Sequence, residues 1–290
     1  MALEKSSPCK VNLLLNILGR RADGFHELET VMHPVNVCDT ITFARGSDGV
    51  QLTCSDPALP VDSRNLVHRA AKAFLHATQI PEGVRIHLDK RIPLAAGLGG
   101  GSGNAATSLL ALNELFGQLL PPERLHDLAV MLGSDVPFFL QKLPALATGR
   151  GEQVQPLDAF PALRGAMFLL VHPGFGVPTV WAYQNLARFP TALNGQAGRA
   201  LELISRLRAG DLHSASREFY NSLEAPVLEK YPLLELLQEF LRSHGATVAL
   251  MSGSGSTTFA IVEGRKQAAV LREKLKAKFG QTCWTALVPA

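Results

Sequence analysis

The sequence predicts an α+β fold in two domains, and three observations lead to this prediction. Its 290 residues correspond to about two domains at roughly 150 residues each. Hydrophobic residues make up 47% of the chain, which is enough for a sizeable core and excludes intrinsic disorder. Strand-like and helix-like patterns occur in both halves of the chain. We expect the domains to cover residues 1–155 and 156–290.

The first half carries strand signals early and helix signals later. Residues 84–88 alternate apolar and polar side chains, as a half-buried strand does. Ser63 is a suitable N-cap for the helix that follows it. In order, the patterns predict strands over residues 11–18, 27–45 and 50–54, a helix over 64–79, a strand over 84–88, helices over 103–116 and 121–132, and a hairpin over 145–157.

The second half has a simpler order of elements. A strongly amphipathic segment, residues 231–244, stops at Gly245, which is typical of a helix C-terminus. The patterns predict strands over residues 166–171, 248–251, 259–262 and 282–288, and helices over 197–208, 231–244 and 265–278. Strand, helices, two strands, helix and strand is the order of a split βαβ unit, so we expect a ferredoxin-like C-terminal domain.

Charge and cysteine content narrow the class of protein. The 28 basic and 25 acidic residues leave a net charge of +3. The electrostatic field of so small a charge is too weak for a dedicated nucleic-acid-binding protein. Its four cysteines, Cys9, Cys38, Cys54 and Cys283, form no C-x-x-C pair, which favours a reducing, cytoplasmic setting. No apolar run approaches the ~18 residues of a membrane helix, so we expect no membrane partner.

Glycine is slightly more frequent than usual, and five of the 25 glycines lie within residues 97–103. The segment comprises Pro93, Leu94, Ala95, Ala96, Gly97, Leu98, Gly99, Gly100, Gly101, Ser102, Gly103 and Asn104. Backbone without side chains lets several N–H groups converge on one anion, and the helix that follows adds its dipole. The apolar helix directly behind it disfavours a flexible linker, so the pattern predicts a phosphate-binding loop.

Two common phosphate loops match poorly. No Lys-Ser or Lys-Thr pair follows the glycines, so a Walker A loop is excluded. Gly101-x-Gly103-x-x-Ala106 fits the loose dinucleotide-binding form, but about ten residues separate it from the preceding strand, too many for that motif's tight turn. A dinucleotide enzyme stays open as an alternative.

Three segments together resemble the GHMP small-molecule kinases. They are PCKVNLLLNILGRRADGFHELET (residues 8–30), PLAAGLGGGSGNAA (93–106) and MSGSGSTTF (251–259). Two further segments, LGSDVPFF (132–139) and HPGFGVPT (172–179), occur in the expected order. The resemblance therefore spans nearly the whole chain, and residues 19–30 are its most specific part.

The resemblance implies a fold and an activity. The fold would be an N-terminal domain like the second domain of ribosomal protein S5 and a ferredoxin-like C-terminal domain. ATP and Mg²⁺ would be cosubstrate and ion, with residues 93–104 binding ATP and no protein metal ligand assigned. Residues 19–30 imply a cytidine-diphosphate sugar-alcohol acceptor of the non-mevalonate isoprenoid pathway, phosphorylated on its C2 hydroxyl.

Two charged residues would carry the catalysis. By pattern, Asp135 is an ordinary helix N-cap and Lys10 a solvated strand residue. The resemblance instead implies that Asp135 is the base and that Lys10 lies beside it. The lysine charge would then stabilise the carboxylate and the charge that develops on the transferred phosphoryl group.

The acceptor-binding residues also follow from the resemblance. Asn12 would contact the sugar-alcohol end, while Phe25 and His26 would hold the cytosine by stacking and by hydrogen bonds to its edge. Thr179 would also bind the acceptor. Tyr183 would supply the opposing face of the cytosine site, although Trp181 lies nearby in the sequence.

Three residues depart from the family pattern. Gly103 stands where a second serine is usual, which removes one hydroxyl from the loop, whereas Cys9 for alanine and Ser252 for threonine are small changes.

Another GHMP kinase, acting on homoserine, mevalonate or a sugar, is the nearest alternative. An S5-like RNA-binding protein is a more distant one, because three tyrosines and two tryptophans leave few stacking platforms. The oligomeric state is open.

Overall fold

A computed structural model describes residues 2–290 of the protein, which pack into two compact units. The first unit contains the chain up to Cys9 together with Val37–Ile92 and Gly99–Lys142. The second contains Lys10–Asn36, Pro93–Leu98 and Leu143–Ala290. Each unit is thus assembled from separate stretches of chain, and the expected domain ranges, 1–155 and 156–290, stay a prediction.

Strands and helices are both abundant, and the predicted α+β class is confirmed. The strands are β1 (Leu3–Arg20), β2 (His26–Gly46), β3 (Val50–Cys54), β4 (Gly83–Asp89), β5 (Ala145–Thr148), β6 (Gln153–Pro156), β7 (Ala166–His172), β8 (Tyr220–Asn221), β9 (Val248–Met251), β10 (Thr258–Glu263) and β11 (Trp284–Pro289). The helices are α1 (Leu66–Thr78), α2 (Gly100–Leu115), α3 (Pro122–Leu132), α4 (Thr179–Asn185), α5 (Pro190–Leu193), α6 (Arg199–Ala209), α7 (Leu212–Ala215), α8 (Glu224–Lys230), α9 (Pro232–Ser243) and α10 (Arg265–Phe279).

Three helices and a set of paired strands form the first unit. Strand β4 pairs antiparallel with the end of β2 and parallel with β3, while α1 contacts both α2 and α3. Helix α1 begins two residues later than expected because Asn65, not Ser63, is its N-cap. The Asn65 side chain accepts a hydrogen bond of 2.9 Å from the N–H of Val67.

Helix α2 begins earlier than the sequence pattern indicates, at Gly100 instead of Gly103. Gly99 precedes it with φ of +67°, a left-handed conformation that favours glycine. No side chain caps this end of the helix. The last glycines of the loop therefore form the first turn of the helix, in which Ser102 carries the only side chain.

The second unit contains the expected ferredoxin-like sheet. Its four strands are antiparallel in the order β11-β7-β10-β9, and α9 and α10 pack on the sheet. All seven residues of β7 are buried, so both faces of this central strand are covered. Gly245 follows α9 with φ of +101°, in agreement with the predicted helix stop.

Strands outside that sheet complete the second unit. The middle of β1 pairs parallel with the two-residue strand β8, where Leu14 faces Tyr220, and the start of β2 pairs with β5 of the predicted hairpin. Of the five helices between β7 and α9, only α6 follows from the sequence pattern. Among residues 2–290, no helix has both the length and the apolar character that crossing a membrane requires.

Candidate active site

Both units carry residues that the sequence singled out. The second unit holds Lys10, Asn12, Phe25, His26, Thr179 and Tyr183, together with the first part of the glycine loop, Pro93–Leu98. The first unit holds the remainder of that loop and Asp135.

In the second unit, the two glycine-rich segments lie against each other. The Ser252 hydroxyl donates to the carbonyl of Gly97 at 3.0 Å, and the N–H of Thr257 donates to the carbonyl of Ala96 at 3.1 Å. A Cβ atom on Gly97 would lie 2.0 Å from the Ser252 carbonyl oxygen, and Gly97 has φ of +76°. Only glycine therefore fits at this contact.

Residues 252–256 also form a tight turn. The N–H of Ser252 donates to Thr257 O at 2.9 Å, and the N–H of Gly255 donates to Ser252 O at 3.0 Å, which closes the hairpin of β9 and β10. The turn thus lies against the predicted phosphate loop.

Lys10 is buried, not solvated. Only 3% of the residue is exposed, and its ammonium donates to Asn12 Oδ1 at 2.5 Å. Its backbone N–H donates to Leu98 O at 2.9 Å, which attaches β1 to the glycine loop. A buried lysine is rare unless it is paired, so its position is not that of an ordinary strand lysine.

Asn12 connects Lys10 to the loops. Its side-chain amide donates to the Thr30 hydroxyl at 2.9 Å, while its oxygen accepts from Lys10. Its backbone N–H donates to the Ser252 hydroxyl at 3.3 Å. Asn12 thereby orients the lysine, and its predicted contact with the acceptor stays a prediction.

Two of the predicted acceptor-binding residues lie on α4. Thr179 and Tyr183 are four residues apart on this helix and so share a face. The Thr179 hydroxyl is 2.9 Å from that of Ser254, and the ring of Tyr183 lies 5.1 Å from that of His26, between centroids. Trp181 instead packs against Tyr231 and the ammonium of Lys230. The geometry thus favours Tyr183 over Trp181 beside His26.

Phe25 and His26 differ in exposure. Phe25 is 49% exposed, and the guanidinium of Arg150 lies 4.9 Å from its ring centroid. Burial, and then the charge of Arg20, lower the pKa of His26, so its imidazole is neutral near pH 7. A neutral imidazole offers one donor and one acceptor, which suits the edge of a base.

In the first unit, the exposed start of α2 offers backbone donors. Gly101 is exposed, and a Cβ atom there would meet only Leu66 Cδ1 at 3.6 Å. The first N–H groups of a helix have no partner within the helix, so a first turn that carries only the small side chain of Ser102 leaves them open to an anion.

Gly103, two residues after Gly101, is enclosed. A Cβ atom there would lie 2.5 Å from Pro8 O and 3.3 Å from the Ser7 hydroxyl. The serine that is usual in the family does not fit this backbone without a shift. The substitution of glycine is therefore explained by the packing of β1 against α2.

Asp135 is not the N-cap that its pattern suggests. It precedes the short 3₁₀ helix Pro137–Leu140, whose N-cap is Val136 and which has no side-chain cap. Asp135 is half-buried in the turn between α3 and that helix. Its catalytic role stays a prediction, but the simplest structural alternative is not supported.

Sequence reasoning missed two polar residues. Asn221 donates to Met251 O and to Gly253 O, both at 2.8 Å, and so holds the second glycine turn. Asp39 is fully buried and accepts from the amide of Asn104 at 2.9 Å. The Asn104 amide also donates to the Ser7 hydroxyl, so Asp39 and Ser7 together orient this side chain. The predicted contact of Asn104 with ATP stays a prediction. A charged residue inside the β-rich stretch was the one available signal for Asp39.

Comparison with known proteins agrees with this architecture. Residues 65–142 match the family described as GHMP kinases N terminal domain, and residues 200–281 match GHMP kinases C terminal. A relative from Synechococcus sp. (strain JA-3-3Ab) is 40% identical over 92% of this chain and 87% of its own length. Another, from Syntrophotalea carbinolica, is 39% identical over 94% of each chain. Both are named 4-diphosphocytidyl-2-C-methyl-D-erythritol kinase.

Solved structures give the same result. A crystal structure of 4-(cytidine 5'-diphospho)-2C-methyl-D-erythritol kinase superposes with a TM-score of 0.82 at 36% identity, over 99% of this chain and all of the other. A homoserine kinase from Cytophaga hutchinsonii shares the fold, with a TM-score of 0.77 at 20% identity over 99% of this chain and 93% of its own. From the identity to its relatives over nearly its full length, the chain belongs to the GHMP kinases and is a small-molecule kinase.

Proposed function

We propose that this kinase transfers the γ-phosphoryl group of ATP to the C2 hydroxyl of 4-diphosphocytidyl-2-C-methyl-D-erythritol. The observation that carries the proposal is the pairing of His26 with Tyr183, beside the exposed ring of Phe25. Aromatic and imidazole rings bind a nucleobase by stacking and by edge hydrogen bonds. Acceptors such as homoserine or mevalonate have no base to occupy such a site.

ATP would bind at the glycine loop. The uncapped start of α2 supplies backbone N–H groups and the positive end of its dipole, which fits a triphosphate. Mg²⁺ would be held chiefly by the phosphates, because Mg²⁺ in kinases usually takes few protein ligands and no acidic cluster is required. The Ser102 hydroxyl, in the first turn, is the side chain we expect nearest to them. The ion would neutralise charge on the transferred group.

The roles of the charged residues follow from their chemistry. Asp135 would accept a hydrogen bond from the C2 hydroxyl, orient it for attack and take its proton. Lys10, held by Asn12, would supply positive charge that needs no reorganisation during transfer. Tyr183 and His26 would fix the cytosine, so that the far end of the acceptor reaches the phosphate in one orientation.

An acceptor panel tests the substrate assignment. We expect ADP release with the cytidylated acceptor and less than one-hundredth of that rate with homoserine, mevalonate or a hexose. Tyr183→Ala should raise KM for the cytidylated acceptor at least about fivefold, because a base stack is worth about 1–3 kcal/mol. Turnover of mevalonate in preference to the cytidylated acceptor would refute the proposal.

A second experiment tests the base. Asp135→Asn should lower kcat by at least a hundredfold and leave the affinity for a nonhydrolysable ATP analogue within about threefold, since base catalysis contributes 10²–10⁴. Asp127→Asn is the matched control, an exposed aspartate of α3 that pairs with Arg124 at 3.0 Å. Equal kcat in both variants would show that Asp135 is not the base.

A further inference from the structure

A buried ionic cluster at the base of the glycine loop is not used by the mechanism above. Asp39 is fully buried in β2, and the side chain of Lys90, at the end of β4, is 6% exposed. The Lys90 ammonium donates to Asp39 Oδ2 and, at 3.3 Å, to the side-chain oxygen of Asn104. Burying an ion pair is costly, so its retention calls for an explanation.

Asp39 accepts hydrogen bonds from both ends of the loop. At the entry, its Oδ1 accepts from the backbone N–H groups of Arg91 at 2.8 Å and Ile92 at 2.9 Å. At the exit, its Oδ2 accepts from the side-chain amide of Asn104 at 2.9 Å. The residues between Ile92 and Asn104 are the predicted phosphate loop, so one carboxylate joins its two ends.

Lys90 completes this arrangement. Its ammonium lies 3.5 Å from the position of a Cβ atom on Gly100, directly beneath the start of α2. The lysine neutralises Asp39, and it holds the oxygen of Asn104 so that the Asn104 amide group faces Asp39 and Ser7. Each polar atom of the Asp39 and Asn104 side chains thus has a partner.

We propose that Asp39 is a positioning residue, which fixes the shape of the phosphate loop by joining its two ends. The inference rests on the proposed function only in taking residues 93–104 as the ATP loop. Without the carboxylate, the loop keeps its sequence but loses the constraint that aligns its N–H groups. Binding of ATP then requires the loop to be ordered at the expense of binding free energy.

The main test is Asp39→Asn, which retains shape but places a second amide against Lys90 and Asn104. We expect KM for ATP to rise at least tenfold while KM for the cytidylated acceptor stays within twofold. Hydrogen exchange of the unliganded protein should become at least tenfold faster for amides in residues 94–104. A merely structural role would lower the melting temperature without this selectivity.

Glu29→Gln is the matched control for a buried carboxylate. Glu29 accepts from the N–H groups of Gly198 at 3.0 Å and Ala200 at 3.2 Å, and from the Asn16 amide at 2.9 Å. It makes the same kinds of hydrogen bond as Asp39, but with a different part of the chain. We expect it to leave KM for ATP and exchange in residues 94–104 unchanged. Equal effects of the two variants on the loop would overturn the proposal.

A rescue variant adds a positive test. The double change Asp39→Asn with Asn104→Asp exchanges carboxylate and amide. The amide at position 39 still accepts from Arg91 and Ile92 and donates to the carboxylate at position 104, which accepts from Lys90. We expect exchange in residues 94–104 to return to within threefold of the parent protein. Exchange as fast as in the single variant would overturn the inference.

Two further provisions keep the test decisive. If Asp39→Asn does not fold, Asp39→Asn with Lys90→Met removes both charges and is judged by the same exchange and KM criteria. The exchange measurement needs no substrate, so it separates the two proposals. If the parent protein phosphorylates none of the acceptors but Asp39→Asn still loses protection in residues 94–104, only the proposed function is overturned. If the parent protein is active but Asp39→Asn keeps full protection in these residues, only this inference is overturned.

Discussion

Gly97→Ala should destabilise the protein because the new side chain would enter a close contact between the backbones of the two glycine-rich segments. The new methyl carbon would lie 2.0 Å from Ser252 O and 2.9 Å from the N–H nitrogen of Gly255. The left-handed conformation, with φ of +76°, costs a non-glycine residue about 1–2 kcal/mol. Overpacking adds about 1–3 kcal/mol. We expect the free energy of unfolding to fall by about 2–5 kcal/mol in total, the sum of these two ranges.

Urea denaturation of the two variants Gly97→Ala and Gly101→Ala provides the assay. Gly101 lies in the same loop, but a Cβ atom there makes only an ordinary contact with Leu66, at 3.6 Å. In a helix, alanine is favoured over glycine by roughly 0.5–1 kcal/mol, so this control should be neutral or slightly stabilised. A loss below about 1 kcal/mol for Gly97→Ala, or equal losses in both variants, would refute the steric reasoning.

Two more predictions concern packing and pH. Gly103→Ser restores the serine that is usual in the family, yet its Cβ would lie 2.5 Å from Pro8 O. We therefore expect calorimetry to show a free energy of unfolding that is lower by about 1–3 kcal/mol. Unchanged stability would contradict this prediction. Burial lowers the pKa of His33 from 6.5 to about 4, so the unfolded chain binds the proton first as pH falls. Stability from this residue is present above pH 6.5, and about 2 kcal/mol of it is lost between pH 7.5 and 5. His33→Phe should remove that part of the pH dependence in urea titrations, and an equal slope in variant and parent would contradict the assignment.

Much of the fold could be predicted because its main elements carry local signals. The alternation in β4 and the amphipathic pattern of α9 each determine a face that must be buried. Gly245 ends α9 as expected because it adopts the left-handed conformation that the helix stop requires. These features depend on neighbouring residues only, and sequence reasoning detects them for that reason.

Other features depend on distant parts of the chain. Asn65 and Ser63 are both good caps, and only the final path of the chain selects Asn65. Strand β8 has two residues and exists because β1 lies beside it. The enclosure of Gly103 likewise depends on Pro8, about a hundred positions earlier in the chain. No local pattern contains this information.

The site itself was predicted unevenly for the same reason. The motifs brought Lys10, Gly97 and Asp135 to attention because each belongs to a recognisable segment. Asn221 and Asp39 belong to no such segment, and their role is visible only in the hydrogen bonds that they make across the fold. Residues that hold a loop in place have no local signature in the sequence, because their hydrogen-bond partners lie far away along the chain.

The contact between Gly97 and Ser252 also has a consequence for the order in which the enzyme is made. The ribosome synthesises the predicted phosphate loop about 155 residues before Ser252, whose hydroxyl donates to Gly97. The length-dependent part of the entropy cost of closing a loop of that size is about 4.5 kcal/mol. Until β9 and β10 have formed, the carbonyls of Ala96 and Gly97 lack these hydrogen-bond donors. A nascent chain should therefore acquire affinity for nucleotide late, when nearly the whole protein has been synthesised.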